Sequence, residues 1–389
     1  MNEKEPDRAE SVHRKTLIVG AGPAGLAVAG RLRQMGLEFE IIEKADRVAD
    51  AWHRHYDRLH LHTVKELSHL PGAPFPADYP RYVPRSKLVD YYQAYVEKFD
   101  IEPRFGVEAT SISRTADGRW LTETTDGGQI LSDNVVIATG ANRVPNRPRY
   151  PGEDAYQGQI THSRDYKSPE PFRGQRVLVV GMGNTGAEIA LDLAEQGVES
   201  HISVRGPVNI VPRDVLGRPT QLTARMLARL PEWLGDRIGV LLRRVTVGDL
   251  SEYGIDTPEI PPLAQLRTQG KTPVIDVGTV RMIKRGRITV HPGIARFIKD
   301  GVVFDDGEQQ AFDAVILATG YEARVEDLVE AGDGLIDEHG YPAQCAGTGD
   351  REGLFFVGFD NYQPGGILGT ILEESAFVTE VIRSSPNRA

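Results

Sequence analysis

The chain has 389 residues, enough for two domains of ordinary size, and 40% hydrophobic with 26% charged residues predicts a soluble, globular protein. A formal net charge of −10 argues against nucleic acid or an anionic membrane surface as the main partner. Cys345 is the only cysteine, which excludes an intramolecular disulfide, a CxxC pair and a cysteine-rich metal site, and fits a cytoplasmic compartment.

The charged N-terminus, MNEKEPDRAESVHRK, lacks the apolar run of a signal peptide and reads as a frayed tail. No stretch reaches the roughly 18 consecutive apolar residues of a membrane span, so no stable membrane insertion is expected. The first strong pattern follows at once. Thr16-Leu17-Ile18-Val19 is too short for a helix and rich in strand formers. Gly20-x-Gly22-x-x-Gly25 comes next, then an apolar stripe through Leu26, Val28, Ala29, Leu32 and Met35 that Gly36 stops. A second apolar run, Phe39 to Ile42, ends in Glu43, 23 residues after Gly20. Gly20 permits the tight turn, Gly22 lets a pyrophosphate approach bare backbone, and Gly25 lets helix and strand pack closely. Glu43 is placed to accept hydrogen bonds from an adenosine ribose. Together these features predict a dinucleotide site.

The next segment, 44–63, is dense in His and Arg around Trp52. The spacing of His53, His55, His60 and His62 fits no common metal template, so a polar loop near a cofactor is expected and no metal. Pro71, Pro74, Pro76, Pro80 and Pro84 mark a loop, and Ser86 is expected to cap a helix over Lys87–Lys98 that buries Leu88, Tyr91, Tyr92, Tyr95 and Val96. Short alternating segments from Phe105 to Leu131 read as a β-meander. Val135–Gly140 is a buried strand ending in a small-residue turn, whose Thr139 and Gly140 are assigned to the same nucleotide; 142–152 reads as a linker.

The opening pattern then returns. Arg176–Val180 is a strand, Gly181-x-Gly183-x-x-Gly186 the turn with Asn184 inside it, Ala187–Gln196 a helix and His201–Val204 the next strand. This strand ends in Arg205 where an acidic residue would favour NAD, and an Arg favours the 2′-phosphate of NADP, with Ser203 beside it. Two sites of different character imply FAD at the first and NADPH at the second. The amphipathic stretch 222–250, interrupted by Pro231, is expected to pack its apolar face on its own domain rather than on a membrane. Val274–Thr279 is expected to close the second domain's sheet. Residues 313–321, with Thr319 and Gly320, repeat the earlier Val-Ile-Ala-Thr-Gly pattern. A last strand ending in Asp360, then Gly365-Gly366 and a helix from about Ile367 to Ile382, is placed to hold the ribityl chain or the pyrimidine edge of a flavin.

Over nearly its whole length the sequence resembles the flavin-containing monooxygenases. Between the glycine motifs, Tyr156-x-Gly158-x-x-x-His162-x-x-x-Tyr166 is similar to the family's FxGxxxHxxx(Y/F) signature, and Leu317–Tyr321 resembles its second signature. HSRDYKSPEPF (162–172), GKTPVIDVGT (270–279) and VHPGIARF (290–297) resemble the YUCCA branch, which turns indole-3-pyruvate into indole-3-acetate. The family's GGxW segment reads Ala49-Asp50-Ala51-Trp52 here, and the Asn that many animal-type members place near the flavin has no counterpart in Leu61–Lys65. The resemblance implies an α/β fold of two dinucleotide-binding, Rossmann-like domains, the NADPH domain (166–290) inserted into an FAD domain (1–165 and 291–389). It implies hydride transfer from NADPH to flavin, formation of a C4a-(hydro)peroxide with O₂, and oxidative decarboxylation of a 2-oxo acid. His162 and Tyr166 would position NADP and serve as hinge residues. Trp52, Lys65 and Asn361 are weaker candidates for the region over the flavin. N- or S-oxygenation of a small amine or sulfide, an NADPH oxidase or flavin reductase, and a non-catalytic flavoprotein are the competing readings. Oligomeric state is not addressed by the sequence.

Overall fold

A computed structural model describes residues 12–329, 332 and 334–385. The tail expected before the first strand lies, for residues 1–11, outside the described residues; from Val12 onward the chain is already strand. Strand β1 (Val12–Val19) runs into the first glycine turn and helix α1 (Pro23–Gln34), which has Pro23 at its first position, where a missing N–H costs nothing. After β2 (Glu40–Glu43) come the short α2 (Asp50–Arg54) and α3 (Arg85–Lys98). Helix α3 starts one residue before the expected cap, with Pro84 at the N-cap, so Ser86 lies inside its first turn. Its tyrosines do more than fill the core. The Tyr91 hydroxyl accepts from Leu70 N and donates to Ala73 O, and Tyr95 donates to Pro71 O, so α3 pins the proline-rich loop whose backbone would otherwise lack partners.

Strands β3 (Arg104–Phe105), β4 (Ala109–Arg114), β5 (Trp120–Thr124) and β6 (Gln129–Ile137) follow. The sheet order is β3-β2-β1-β6-β5-β4. Its β1, β2, β3 and β6 are parallel, while β4, β5 and β6 form the expected antiparallel meander. The chain then leaves through β7 (Val144–Pro145) and enters a second sheet at β8 (Gln159–His162).

That second unit contains β9 (Arg176–Val180), α4 (Asn184–Glu195), β10 (Glu199–Ser203), β11 (Ile210–Pro212), the hairpin β12 (Asp214–Val215) and β13 (Arg218–Pro219), and helices α5 (Thr220–Leu227), α6 (Glu232–Thr246) and α7 (Pro262–Gln269). It continues with β14 (Val274–Asp276), α8 (Thr279–Lys284), β15 (Ile288–His291), the antiparallel β16 (Ile294–Ile298), β17 (Gly301–Phe304) and β18 (Gln309–Ala311), and β19 (Ala314–Leu317). The main sheet here is five parallel strands in the order β15-β10-β9-β19-β8. By strand pairing this unit therefore runs from Gln159 to Leu317, wider at both ends than the expected 166–290. Strand β14 does not close that sheet; it pairs with β11 apart from it, and Thr279 begins α8. The chain returns at β20 (Tyr321–Glu322), which pairs antiparallel with β7, so outgoing and incoming crossings are hydrogen-bonded together. Strand β21 (Leu354–Phe356) adds to β6 of the first sheet, and α9 (Ile367–Ser384) packs on α1.

Each unit has its own core. In the first, Leu26, Val28, Leu32, Tyr92, Tyr95, Ile371 and Val378 fill the space between sheet and helices; Val96 is only partly buried against it. In the second, Val177, Val179, Ile189, Leu193, Ile202 and Ile316 surround α4. Helix α6 departs from expectation: Trp233, Leu241 and Val245 face solvent instead of the domain. Among the described residues no helix is long and apolar enough to cross a membrane.

Candidate functional site

The two glycine turns have nearly the same geometry. Gly20 (φ 109°) follows β1 and Gly181 (φ 103°) follows β9, in the left-handed region that a side chain disfavours. A Cβ would meet Ala138 O at 2.6 Å on Gly20 and Ala318 O at 2.7 Å on Gly181. One on Gly25 or Gly186 would lie 1.9 Å from the carbonyl oxygen of Gly20 or Gly181. Gly22 and Gly183, the N-caps of α1 and α4, have nothing within 4 Å of a Cβ. The turn is thus closed on the protein side and open where a pyrophosphate would approach the helix N-terminus.

Around the first turn a cleft is lined by Gly20, Gly22, Glu43, Trp52, Thr139 and Gly140, all expected from sequence. Glu43 is held by two backbone donors, Ala21 N at 2.8 Å and Ala45 N at 2.9 Å, which fixes its carboxylate beyond the end of β2. The buried Thr139 hydroxyl on the cleft wall has no hydrogen-bond partner among the described residues. An open helix N-terminus, an oriented carboxylate at the strand end and an unpaired hydroxyl fit the phosphates and ribose of a dinucleotide.

The cleft also collects residues that no spacing rule marked: Lys44, Arg54, His55, Arg143, Arg164 and Tyr321. The Arg164 guanidinium donates to Asn142 O and Arg143 O and lies 5.2 Å from the Tyr321 ring centroid. Arg143 donates to Arg324 O. Burial, with Lys167, Arg164 and Arg85 nearby, pushes His55 down to about 4, so it is neutral at pH 7 amid these cations. The segment 44–63 was flagged only as polar and near a cofactor; that His and Arg density was the one signal available for Arg54 and His55.

Other expected residues sit elsewhere. Lys65 is not over the cleft; its ammonium donates to Pro76 O, Ala77 O and Tyr79 O and ties down the proline loop. Neither Asn361 nor Asp360 lines the cleft. Asp360 accepts from Tyr362 N within its own turn, and Gly358 reaches the wall instead. Gly358 N donates to Glu374 of α9, whose carboxyl, pushed up by burial against the pull of that N–H, titrates at about 7. The N-terminus of α9 is bridged to the second unit by Gln221, which accepts from Val64 N and donates to Gly365 O.

In the second unit, Arg205 is exposed just beyond the end of β10. Ser203 is buried and donates to Pro292 O, and the Asn184 side chain accepts from Ile275 N, so both brace the turn's surroundings. Tyr166 is buried, stacks on Phe172 and donates to Asp192 of α4; burial and that carboxylate hold its hydroxyl protonated. It anchors α4 and its ring lies 6.3 Å from that of Tyr56 in the first unit. His162 is buried at the end of β8, accepts from Arg164 N and meets Tyr321 edge-on. Thr319 donates to Asn146 O and Gly320 O accepts from Asn146 N, so both fasten the crossing segments. A contact missed entirely is Glu188 of α4, which accepts from Tyr56 and pairs with His62 at 3.1 Å. Burial alone would raise its pKa, but those two partners and the nearby Arg58 lower it below the usual range. This ionised hub docks the histidine-rich loop of the first unit onto the second. Among the described residues no cluster of His, Cys, Asp or Glu could hold a metal ion.

Residues 13–331 match the model of the flavin-binding monooxygenase-like family. An indole-3-pyruvate monooxygenase of Oryza sativa subsp. japonica, YUCCA1, is 39% identical over 380 residues, 95% of this chain and 91% of that protein. A probable indole-3-pyruvate monooxygenase of Arabidopsis thaliana, YUCCA8, is 38% identical over 357 residues, 88% of this chain and 83% of that protein. Among solved structures, the flavin-containing monooxygenase from Stenotrophomonas maltophilia superposes with a TM-score of 0.71 at 23% identity, covering 96% of this chain and 98% of that one. Cyclohexanone monooxygenase from Rhodococcus sp. Phi1, bound to NADP+, gives 0.69 at 20% identity, covering 97% and 86%.

Proposed function

The chain belongs to the flavin-binding monooxygenase-like family, and we propose that it uses NADPH and O₂ to decarboxylate a 2-oxo acid of the indole-3-pyruvate type to the shortened acid. The observation that carries the cofactor assignment is the duplicated glycine turn, open at Gly22 and Gly183 and closed at its other glycines. The first cleft supplies Glu43 for ribose, the α1 N-terminus for pyrophosphate and Thr139 as a free hydroxyl for FAD. The second turn, with Arg205 beyond β10, suits NADPH, whose extra phosphate a guanidinium can pair with.

Bound in the cleft, flavin supplies the electron transfer and oxygen chemistry. The chain's part is to bind, orient and exclude water. Glu188, Tyr56 and His62 hold the two units in one register, which would keep a nicotinamide carried on the second unit oriented toward the first. Neutral His55 adds no further charge beside Arg164, which has no ion-pair partner among the described residues and can attract an anionic substrate. The overall change balances as 2-oxo acid + O₂ + NADPH + H⁺ giving shortened acid + CO₂ + NADP⁺ + H₂O. Two relatives named indole-3-pyruvate monooxygenases, similar over most of both chains, support this substrate class.

The test is NADPH oxidation by the purified holoenzyme with indole-3-pyruvate present, scored for indole-3-acetate and for hydrogen peroxide. Acid formed in proportion to NADPH is expected. Turnover with amines or sulfides but not the keto acid would move the activity to heteroatom oxygenation, and peroxide alone would make the protein an oxidase.

A further inference from the structure

Helix α6 is not built like the other long helices. Only Gly235 of its fifteen residues is buried, whereas the twelve-residue α1 buries eight. Trp233, Arg237, Leu241 and Val245 follow at four-residue spacing and so form one ridge, all of it exposed. Trp233 is 62% and Val245 76% exposed. Leu222 and Met226 continue the apolar face on α5. Leu216, at the tip of the β12–β13 hairpin, is fully exposed and sits at φ 50°, a conformation that ordinarily selects Gly or Asn. Seven of the eleven large apolar side chains exposed on the described surface fall between Leu216 and Val245. Gathered on adjoining elements, exposed apolar side chains at this density mark a contact site.

Charge indicates what covers it. The whole chain carries −10, but residues 216–246 hold six Arg and two acids. Both acids, Glu232 and Asp236, are taken by Arg267. Among the described residues, Arg218, Arg229, Arg237 and Arg244 have no ion-pair partner, and Arg237 lies over the Trp233 ring. A two-fold contact with a second copy would set these arginines against themselves. An anionic lipid surface accepts both halves of the face: apolar side chains enter the acyl boundary while arginine stems run along it to phosphate. We propose that the hairpin tip, α5 and α6 form a peripheral docking face for anionic lipid. Among the described residues no helix is long and apolar enough to span, and the proposed face lies along the membrane surface. Gln221, at the start of α5, ties this face to the loops beside α9.

The test mixes the full-length holoprotein with phosphatidylcholine vesicles, with and without phosphatidylglycerol. Sedimentation with the anionic vesicles alone, release by salt and a blue shift of tryptophan fluorescence that W233S abolishes are expected. Reversing two charges in R237E/R244E should weaken binding about tenfold or more, with flavin content unchanged. Equal binding to neutral vesicles, binding to neither, or self-association that W233S/L241S dissolves would overturn the proposal. An acidic protein that competes for the face in the absence of any vesicle binding would overturn it too. Should a variant fold poorly, the comparison of the two vesicle types and its salt dependence decide alone.

Discussion

Glu374 shows how a residue invisible to motif analysis acquires a property from its surroundings. On α9 it is half-buried, accepts from Gly358 N at 2.7 Å, and lies close to Asp360, Glu373 and Cys345, whose thiol burial also pushes up. On the packed helix α1, Arg31 donates to Ser375 Oγ and Leu372 O. With its carboxyl raised from 4.5 to about 7, the folded state holds a proton that the unfolded chain has already released. The stabilisation is present below pH 4.5 and lost as pH rises through 7, amounting to roughly 3–4 kcal/mol at most. Glu374→Gln should therefore be more favourable, relative to the parent chain, at pH 8 than at pH 5. Thermal midpoints against pH check this; parallel curves for the two proteins would show that Glu374 does not titrate there. At this scale sequence reasoning succeeded where the backbone demands one residue type, as at Gly20 and Gly181. It failed for Lys65, whose partner Pro76 O is fixed only once the proline loop folds back on it, and the Asp192 partner of Tyr166 was likewise not legible.

At the scale of elements, local periodicity was a good guide. The glycine turns, the meander, the buried face of α3 and the C-terminal helix all lie where spacing put them. Pairings across long separations were not legible: β8 and β19 join the second sheet, 152 or more residues apart, through backbone hydrogen bonds that leave no period in the sequence. The apolar face of α6 misled for a related reason, since periodicity shows that a face exists and not what covers it. The turns themselves give a separable prediction. In Gly186→Ala the new Cβ would sit 1.9 Å from Gly181 O, so the second turn must open while the first is untouched. FAD content should stay at parent level while flavin reduction by NADPH slows at least tenfold. Gly25→Ala, with the same clash at Gly20 O, should lose FAD instead. Absorbance of the purified proteins and anaerobic reduction rates separate the two, and identical behaviour of both variants would contradict independent sites.

For the whole molecule, the arrangement is one α/β unit interrupted by a second, with β7 and β20 paired where the chain crosses and Glu188 seated on the loop of Tyr56 and His62. That geometry suits the proposed reaction, in which reducing power arrives on one unit and is used in the cleft of the other. The most direct measurement is turnover with NADPH, indole-3-pyruvate and ¹⁸O₂, followed by mass spectrometry of the acid. The account predicts one labelled oxygen in the carboxylate of indole-3-acetate, with acid formed one for one with NADPH oxidised. Unlabelled acid, or NADPH consumed into labelled peroxide without acid, would contradict it.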